Sequence, residues 1–226
     1  SSLGNSSIYA IATVLLTNII GIAMAVLLVK PMIGRDVFRT IFYIPSILPS
    51  IANVIMFGFI FDPNNGIVNN FLLICGWPQN ELPLWLTSSD SALQTLILMA
   101  CWAFGGKTII YIAGLNGISK DIYEAAEIDG AKPARVFFTI TLPLLTPSIF
   151  YNLIMSTIGG MQVFTESFVA TGGIKKFFVY YLYTVAYQRP YSLGRASAMA
   201  WLLFLVILLL TALNWLLSKW YLKYEE

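Results

Sequence analysis

Histidine is absent from these 226 residues, and charge is scarce: 13 Lys and Arg against 11 Asp and Glu, or 11% of the chain. Without histidine the chain lacks the usual general base near neutral pH and the commonest metal ligand. So few charges leave too little polar surface for a soluble domain, which carries about 25% charged residues. Cys75 and Cys101 are the two cysteines, far apart and without neighbouring ligands. They read as small apolar side chains rather than a disulfide, a zinc site or a thiol nucleophile. No basic cluster suggests nucleic acid. What is present is apolar: 58% hydrophobic residues arranged in blocks, with a mean hydropathy of +0.77. Composition predicts an all-α integral membrane protein. It argues against an enzyme, because nucleophiles, bases and paired carboxylates do not cluster.

Five segments are long enough to cross a bilayer, which takes about 20 apolar residues. They are Ile8–Val29, Ile41–Phe61, Ala92–Ile112, Leu142–Phe164 and Ala196–Leu217. Gly105, Gly106 and Lys107 interrupt the third; a Lys near a span's end can snorkel to the headgroups, so Lys107 does not disqualify it. Lys30, Arg35 and Arg39 follow the first span; Lys120, Lys132 and Arg135 follow the third; Lys219 and Lys223 follow the fifth. The connection between spans two and three carries only Asp62, Glu81 and Asp90. The bias of Lys and Arg places the loop after span three and the C-terminus in the cytoplasm, although Lys175, Lys176, Arg189 and Arg195 weaken it. Ser1 then lies outside, and no charged n-region or cleavage site marks the first span as a signal peptide.

Pro45 and Pro49 inside the second span should bend it, since each removes a backbone donor and clashes with the preceding turn. The freed carbonyls need partners, so this helix is expected against other helices or a polar cavity. Asp62-Pro63-Asn64-Asn65-Gly66 is turn chemistry opening an external loop, where Trp77 and Trp85 are expected to mark the membrane interface. The tyrosine-rich stretch from Lys175 to Tyr191 reads as an external interfacial segment.

Between spans three and four lies a short polar helix, residues 121–131. Asp121 is the expected N-cap with Glu124 as its capping-box partner. Ala125 and Ala126 favour helix and leave a smooth surface. Gly130 suits the left-handed C′ position, and Pro133 can start a second short helix. By itself this describes a well-capped surface helix.

The spacing adds to that. Glu124-Ala125-Ala126, three residues, Gly130, nine residues, then Ile140-Thr141-Leu142-Pro143 resembles the EAA loop of bacterial ATP-binding-cassette importers. Flanking segments resemble the sugar-importer branch and its larger permease type. They include Arg39-Thr40-Ile41-Phe42-Tyr43-Ile44-Pro45, Ala113-Gly114-Leu115, Thr171-Gly172-Gly173 and Gly194-Arg195-Ala196-Ser197-Ala198. The resemblance spans nearly the whole chain. One departure is Ile174-Lys175-Lys176 after Thr171-Gly172-Gly173, where the family often has proline.

The resemblance implies one transmembrane permease domain over residues 1–226. Five visible spans belong to a six-helix core whose first helix would precede Ser1. It implies a bacterial inner-membrane location and no cofactor in this chain, with ATP and Mg held by a partner ATPase dimer. A second permease, an extracytoplasmic solute-binding protein and a sugar or oligosaccharide cargo complete the set of partners. Glu124, Ala125, Ala126, Asp129 and Gly130 would engage the ATPase, whose closure turns the permeases from inward- to outward-facing. Importers of polyamines or other small nutrients share such loops, and an ATP-independent secondary transporter is the alternative of another kind.

For the cargo path, Asn152, Ser156, Gly159, Gln162 and Glu166 fall within an arc of about 120° if span four is one helix at 100° per residue. Such a stripe can hydrogen-bond sugar hydroxyls, or it can serve as interhelical glue.

Overall fold

The computed structural model describes residues 1–222, which form helices joined by short connections. Lys223, counted above for orientation, lies outside the described residues. The first helix, α1 (Ser2–Val29), runs unbroken at the centre of the molecule. Its apolar face points outward: Ile8, Ile11, Leu15 and Ile19 are exposed. Ser6, Thr13, Thr17 and Asn18 are buried. Polar-inside packing of this kind suits a helix whose surroundings are hydrocarbon, because hydroxyls and amides then find partners only within the protein.

The next three spans are all broken. Span two divides into α2 (Arg35–Ile47) and α3 (Ser50–Ile60), bent by 99°. Span three divides into α5 (Ala92–Trp102) and α6 (Gly105–Asn116), bent by 43°. A small helix, α4 (Ile67–Ile74), lies in the loop between them. After α7 (Lys120–Ile128), span four rises as α8 (Pro133–Val136), a π-helical turn Phe137–Thr141 and α9 (Leu142–Leu144), then bends 65° into α10 (Thr146–Met161). The chain closes with α11 (Phe178–Tyr187) and α12 (Leu193–Leu222). By length and apolarity α1 and α12 cross a bilayer alone, and the three bent pairs bring the number to five.

The first break has a local cause. Pro49 lacks the N–H that would close a helical turn on the carbonyl of Pro45. The Asn53 side chain supplies the missing donor, its Nδ2 reaching that carbonyl at 3.2 Å. Pro45 itself is tolerated inside α2. At the other end, Arg39 donates to the carbonyl of Leu28 at 3.0 Å and ties α2 to the end of α1.

The helices approach closely where side chains are small. Gly160 of α10 lies against Ala10 of α1, and Gly114 of α6 against Leu145 and Ser148. The tightest contact is at Gly105, where a Cβ would strike the carbonyl of Phe42. Glycine there lets α6 start directly on the α2 backbone.

Several connections differ from the reading of the sequence. Trp85 turns inward rather than marking an interface: its ring packs on Phe61 at 5.0 Å and its Nε1 donates to Asn69 Oδ1 at 2.6 Å. Asn69, 1% exposed, also donates to Pro63 and Pro83 and so staples the loop together. Trp77 stays exposed. The stretch after Lys175 contains a regular helix, α11, packed on α1 and α12, because Tyr180 and Ala186 find a buried face there. Asp62 Oδ1 accepts from Asn64 and Asn65 at 3.0 and 2.8 Å, the turn its sequence predicts.

A leucine at Gly105 would force α6 off α2 at a cost of about 1–3 kcal/mol. Gly105→Leu is expected to lower the melting temperature of the detergent-solubilised protein by about 2–10 °C. Thermal unfolding followed by tryptophan fluorescence checks this, and an unchanged midpoint would refute the close α2–α6 crossing.

Candidate functional site

The broken spans meet around one cavity of about 390 Å³. Its wall takes Pro45, Ser46 and Leu48 from the α2–α3 break and Trp102 and Ala103 from the α5–α6 break. Broken helices at such depth are tolerated where their loosened backbone faces a cavity or protein rather than lipid. α1 contributes Tyr9, Thr13 and Thr17, and α10 contributes Ser156, Gly159 and Gly160. A second hollow adjoins it, lined by Asn152, Gly106, Tyr151 and Met155. Ala103, Lys107 and Ser156 line both and form the waist between them.

Polar residues line this space. Tyr9 is packed edge-on against Phe177 at 5.2 Å. Asn53 Oδ1 is buried without a hydrogen-bond partner. An unmatched buried group costs about 1–3 kcal/mol. Ser156 donates to the Asn152 carbonyl at 2.5 Å, leaving its lone pairs free. Lys107 points inward and donates to Thr17 Oγ1, whose own hydrogen goes to the Thr13 carbonyl. This replaces the snorkelling that the sequence allowed for Lys107: it lies just past the break in span three, beside a polar face of α1 that it can reach.

The expected stripe on span four is only partly assembled. Ser156, Gly159 and Glu166 line the main cavity, and Asn152 lines the adjoining hollow. Gln162 is exposed and lines neither. The arc assumed a continuous helix to Phe164, but α10 ends at Met161 with Gln162 as its cap. Glu166 returns to the cavity on a separate π-helical turn, Glu166–Ala170. Thr13, Thr17, Asn18 and Lys107 escaped the sequence reading. The signal was there: hydroxyls and an amide spaced by four and one along an otherwise apolar span.

The second candidate site is α7. Its N-cap is Ser119, which accepts from the Asp121 amide at 3.3 Å; Asp121 is already in the first turn, and the anticipated Asp121–Glu124 capping box does not form. Starting at Lys120 moves the cap two residues back. The other end is as expected: Gly130 has φ +71°, its N–H meets the Glu127 carbonyl at 2.9 Å, and the Ala131 N–H meets Ala126 at 3.0 Å. This pair of bonds is a Schellman stop. Glu124, Ala125, Asp129 and Gly130 are exposed, but Ala126 is buried within the chain, at 7%. Ala126 therefore packs inward, which corrects its assignment to an outer contact. Ile122 and Ile128, not singled out from sequence, are exposed, Ile128 at 86%. Tyr123 links the helix to span four, its hydroxyl 3.2 Å from that of Thr141 in the π-helical turn. Among the described residues no Cys, Asp and Glu cluster could hold a metal ion.

Known proteins share this architecture. A solved bacterial ABC transporter involved in the import of the acidic polysaccharide alginate superimposes with a TM-score of 0.84, covering 96% of this chain and 78% of that one at 22% identity. At that identity the likeness speaks for the fold. The probable ABC transporter permease protein YesP of Bacillus subtilis (strain 168) is 38% identical over 96% of this chain and 72% of its own length. The arabinooligosaccharides transport system permease protein AraP of the same organism is 32% identical over 96% of this chain and 71% of its own length. Residues 17–222 match the family described as binding-protein-dependent transport system inner membrane component. That match takes in every broken span and the α7 loop, and the chain belongs to this family of membrane permeases.

Proposed function

We propose that the chain carries sugars or oligosaccharides as one permease of an ATP-driven importer, with α7 as the element that receives motion from the ATPase. A second, homologous permease, an ATPase pair holding ATP and Mg, and an extracytoplasmic binding protein complete the machine. The observation that carries this reading is α7 itself: an exposed helix with a fixed stop, hydrogen-bonded through Tyr123 to the span whose upper half lines the cavity. The relative named for arabinooligosaccharides, together with a cavity rich in hydroxyls and aromatic rings, supports a carbohydrate cargo.

The Lys and Arg distribution supports a cytoplasmic position for α7 and for the C-terminus. Docking rests on shape and apolar burial more than on charge. An exposed pair through Glu124 or Asp129 would contribute about 0–1 kcal/mol. Burying Ile128 would contribute about 1.5–3 kcal/mol. Ala125 permits close approach, and Gly130 fixes the angle at which the chain leaves. When the ATPase pair closes, α7 moves as a rigid body and draws on the π-helical turn of span four through Tyr123–Thr141. The 65° bend then turns that displacement into a change at α10, where Ser156 and Gly159 face the cargo.

Two outcomes test this. Ile128→Asp should reduce co-purification of the ATPase by about tenfold, and Gly130→Pro, which forbids the left-handed turn and removes its N–H, should abolish uptake with membrane insertion intact. Pull-down and radiolabelled uptake in vesicles measure both, and normal uptake by Gly130→Pro would count against the coupling role. For the cargo path, a Cβ added at Gly159 would meet nothing within 4 Å beyond its own stretch of helix. Gly159→Leu should therefore block uptake while melting temperature and ATPase binding stay unchanged; undiminished uptake would remove the cavity from the path.

A further inference from the structure

Lys107 stands apart from everything that the oligosaccharide reading explains. An ammonium within a membrane span costs about 2.5–3.5 kcal/mol on insertion scales. A neutral donor such as Gln or Thr could make the same bond to Thr17 without that cost. No carboxylate lies within ion-pair distance of Lys107 among the described residues, whose two ion pairs both involve Asp36. Its bond to Thr17 uses one of three N–H donors, which leaves two for a ligand.

We propose that Lys107 is a specificity residue that binds an anionic group of the cargo, the carboxylate of an acidic oligosaccharide, at the waist between the two hollows. This rests on the oligosaccharide reading above and narrows it. The polar groups that face the space are few. α1 presents Tyr9, Thr13 and Thr17; α2 presents Ser46; α3 presents Ser50 and Asn53; α10 presents Ser156, with Tyr151 and Asn152 on the adjoining hollow; and the turn after α10 presents Glu166. Lys107 is thus the one cation, and Glu166 the one anion, lining the cavity among the described residues. A carboxylate beside Lys107 gains charge-assisted hydrogen bonds in a site of low dielectric. At the Glu166 end the same group is repelled, while hydroxyls are welcome as donors. The pair therefore fixes which way an acidic sugar lies.

The remaining wall suits the rest of such a ligand. The Trp102 ring, half exposed and held edge-on by Phe57 at 6.2 Å, offers a face for a sugar ring. Tyr9 and Asn53 add polar residues to the wall. About 390 Å³ falls within the range of about 300–1,000 Å³ common to small-ligand sites.

The test uses the assembled transporter, both permeases with the ATPase pair, in proteoliposomes with its binding protein. Uptake is measured for a tri-uronide and for its methyl ester, which has the same rings without the charge. The wild type should favour the uronide. Lys107→Gln should raise KM for the uronide about tenfold, as expected for one lost charge-assisted contact, with the ester unchanged, and Lys107→Arg should retain the preference. Direct binding of the two trisaccharides to the solubilised complex without binding protein separates the permease's preference from the delivery step, and in the wild type it needs no variant. Equal affinity for uronide and ester there, or an equal effect of Lys107→Gln on both, overturns the proposal. Transport of neutral oligosaccharides alone also overturns it while leaving the sugar importer standing. Failure to transport any oligosaccharide, charged or neutral, would instead sink the carbohydrate reading.

Discussion

The satisfaction of backbone hydrogen bonds where water is absent governs this structure. A continuous helix meets that demand by itself; a broken one does not. Yet three of the five spans are broken, by 99°, 43° and 65°. Each break must therefore be repaired or turned toward a polar space. At the α2–α3 break, Asn53 replaces the donor that Pro49 lacks. The α5–α6 break faces the cavity through Trp102 and Ala103. The 65° break at Leu145 lies instead in an apolar cluster, with the Leu145 N–H on Thr141 and its carbonyl taken by Ile149.

The same demand orders the side chains. α1 keeps hydroxyls and an amide inward, where Thr17 receives Lys107 and Asn18 receives Tyr111. Ile8, Ile11, Leu15 and Ile19 face outward. Small residues then decide how near the helices come, with Gly105 on α2 and Gly160 on α1. Tight crossings at those glycines give a cavity wall that is stiff in the backbone and lined by polar residues such as Tyr9, Asn53 and Ser156. That combination suits a passage for a hydroxylated cargo: the cargo completes bonds the protein leaves unmade, and can leave because no single one is strong.

At the other end of the molecule, α7 has a short reach and a definite exit. The Schellman stop at Gly130 and the start of α8 at Pro133 allow few conformations between them. Tyr123 meets Thr141 inside the π-helical turn, where the winding already departs from a regular helix. The 65° bend lies between this turn and α10, which supplies Ser156 and Gly159 to the cavity. Lys107 shares the waist with Ser156 of α10.

Much of this was legible in the sequence, and the division has a physical basis. Composition and run length were enough for a membrane-embedded helical class, because a span needs only a count of apolar residues. Pro49, Gly130 and Pro133 announced breaks and stops, because their constraints on φ and on N–H donors act within one turn of helix; the bend expected at Pro45 did not form, and it stays inside α2. The spacing from Glu124 to Pro143 was enough to indicate the family. What a break does to the direction of the chain depends on the helices packed around it, and there sequence reasoning ran out. Gln162 left the polar stripe and Glu166 rejoined it only after α10 had ended, so a single helical arc could not hold them. Ala126 turned inward because the rotation of α7 is set by Tyr123 and its neighbours, not by its own pattern. The sequence left Lys107 free to snorkel to a membrane boundary, but α1 brings Thr17 beside it. Tertiary packing decided which polar groups share a space, since contacts between helices far apart in sequence set helix rotation after every bend.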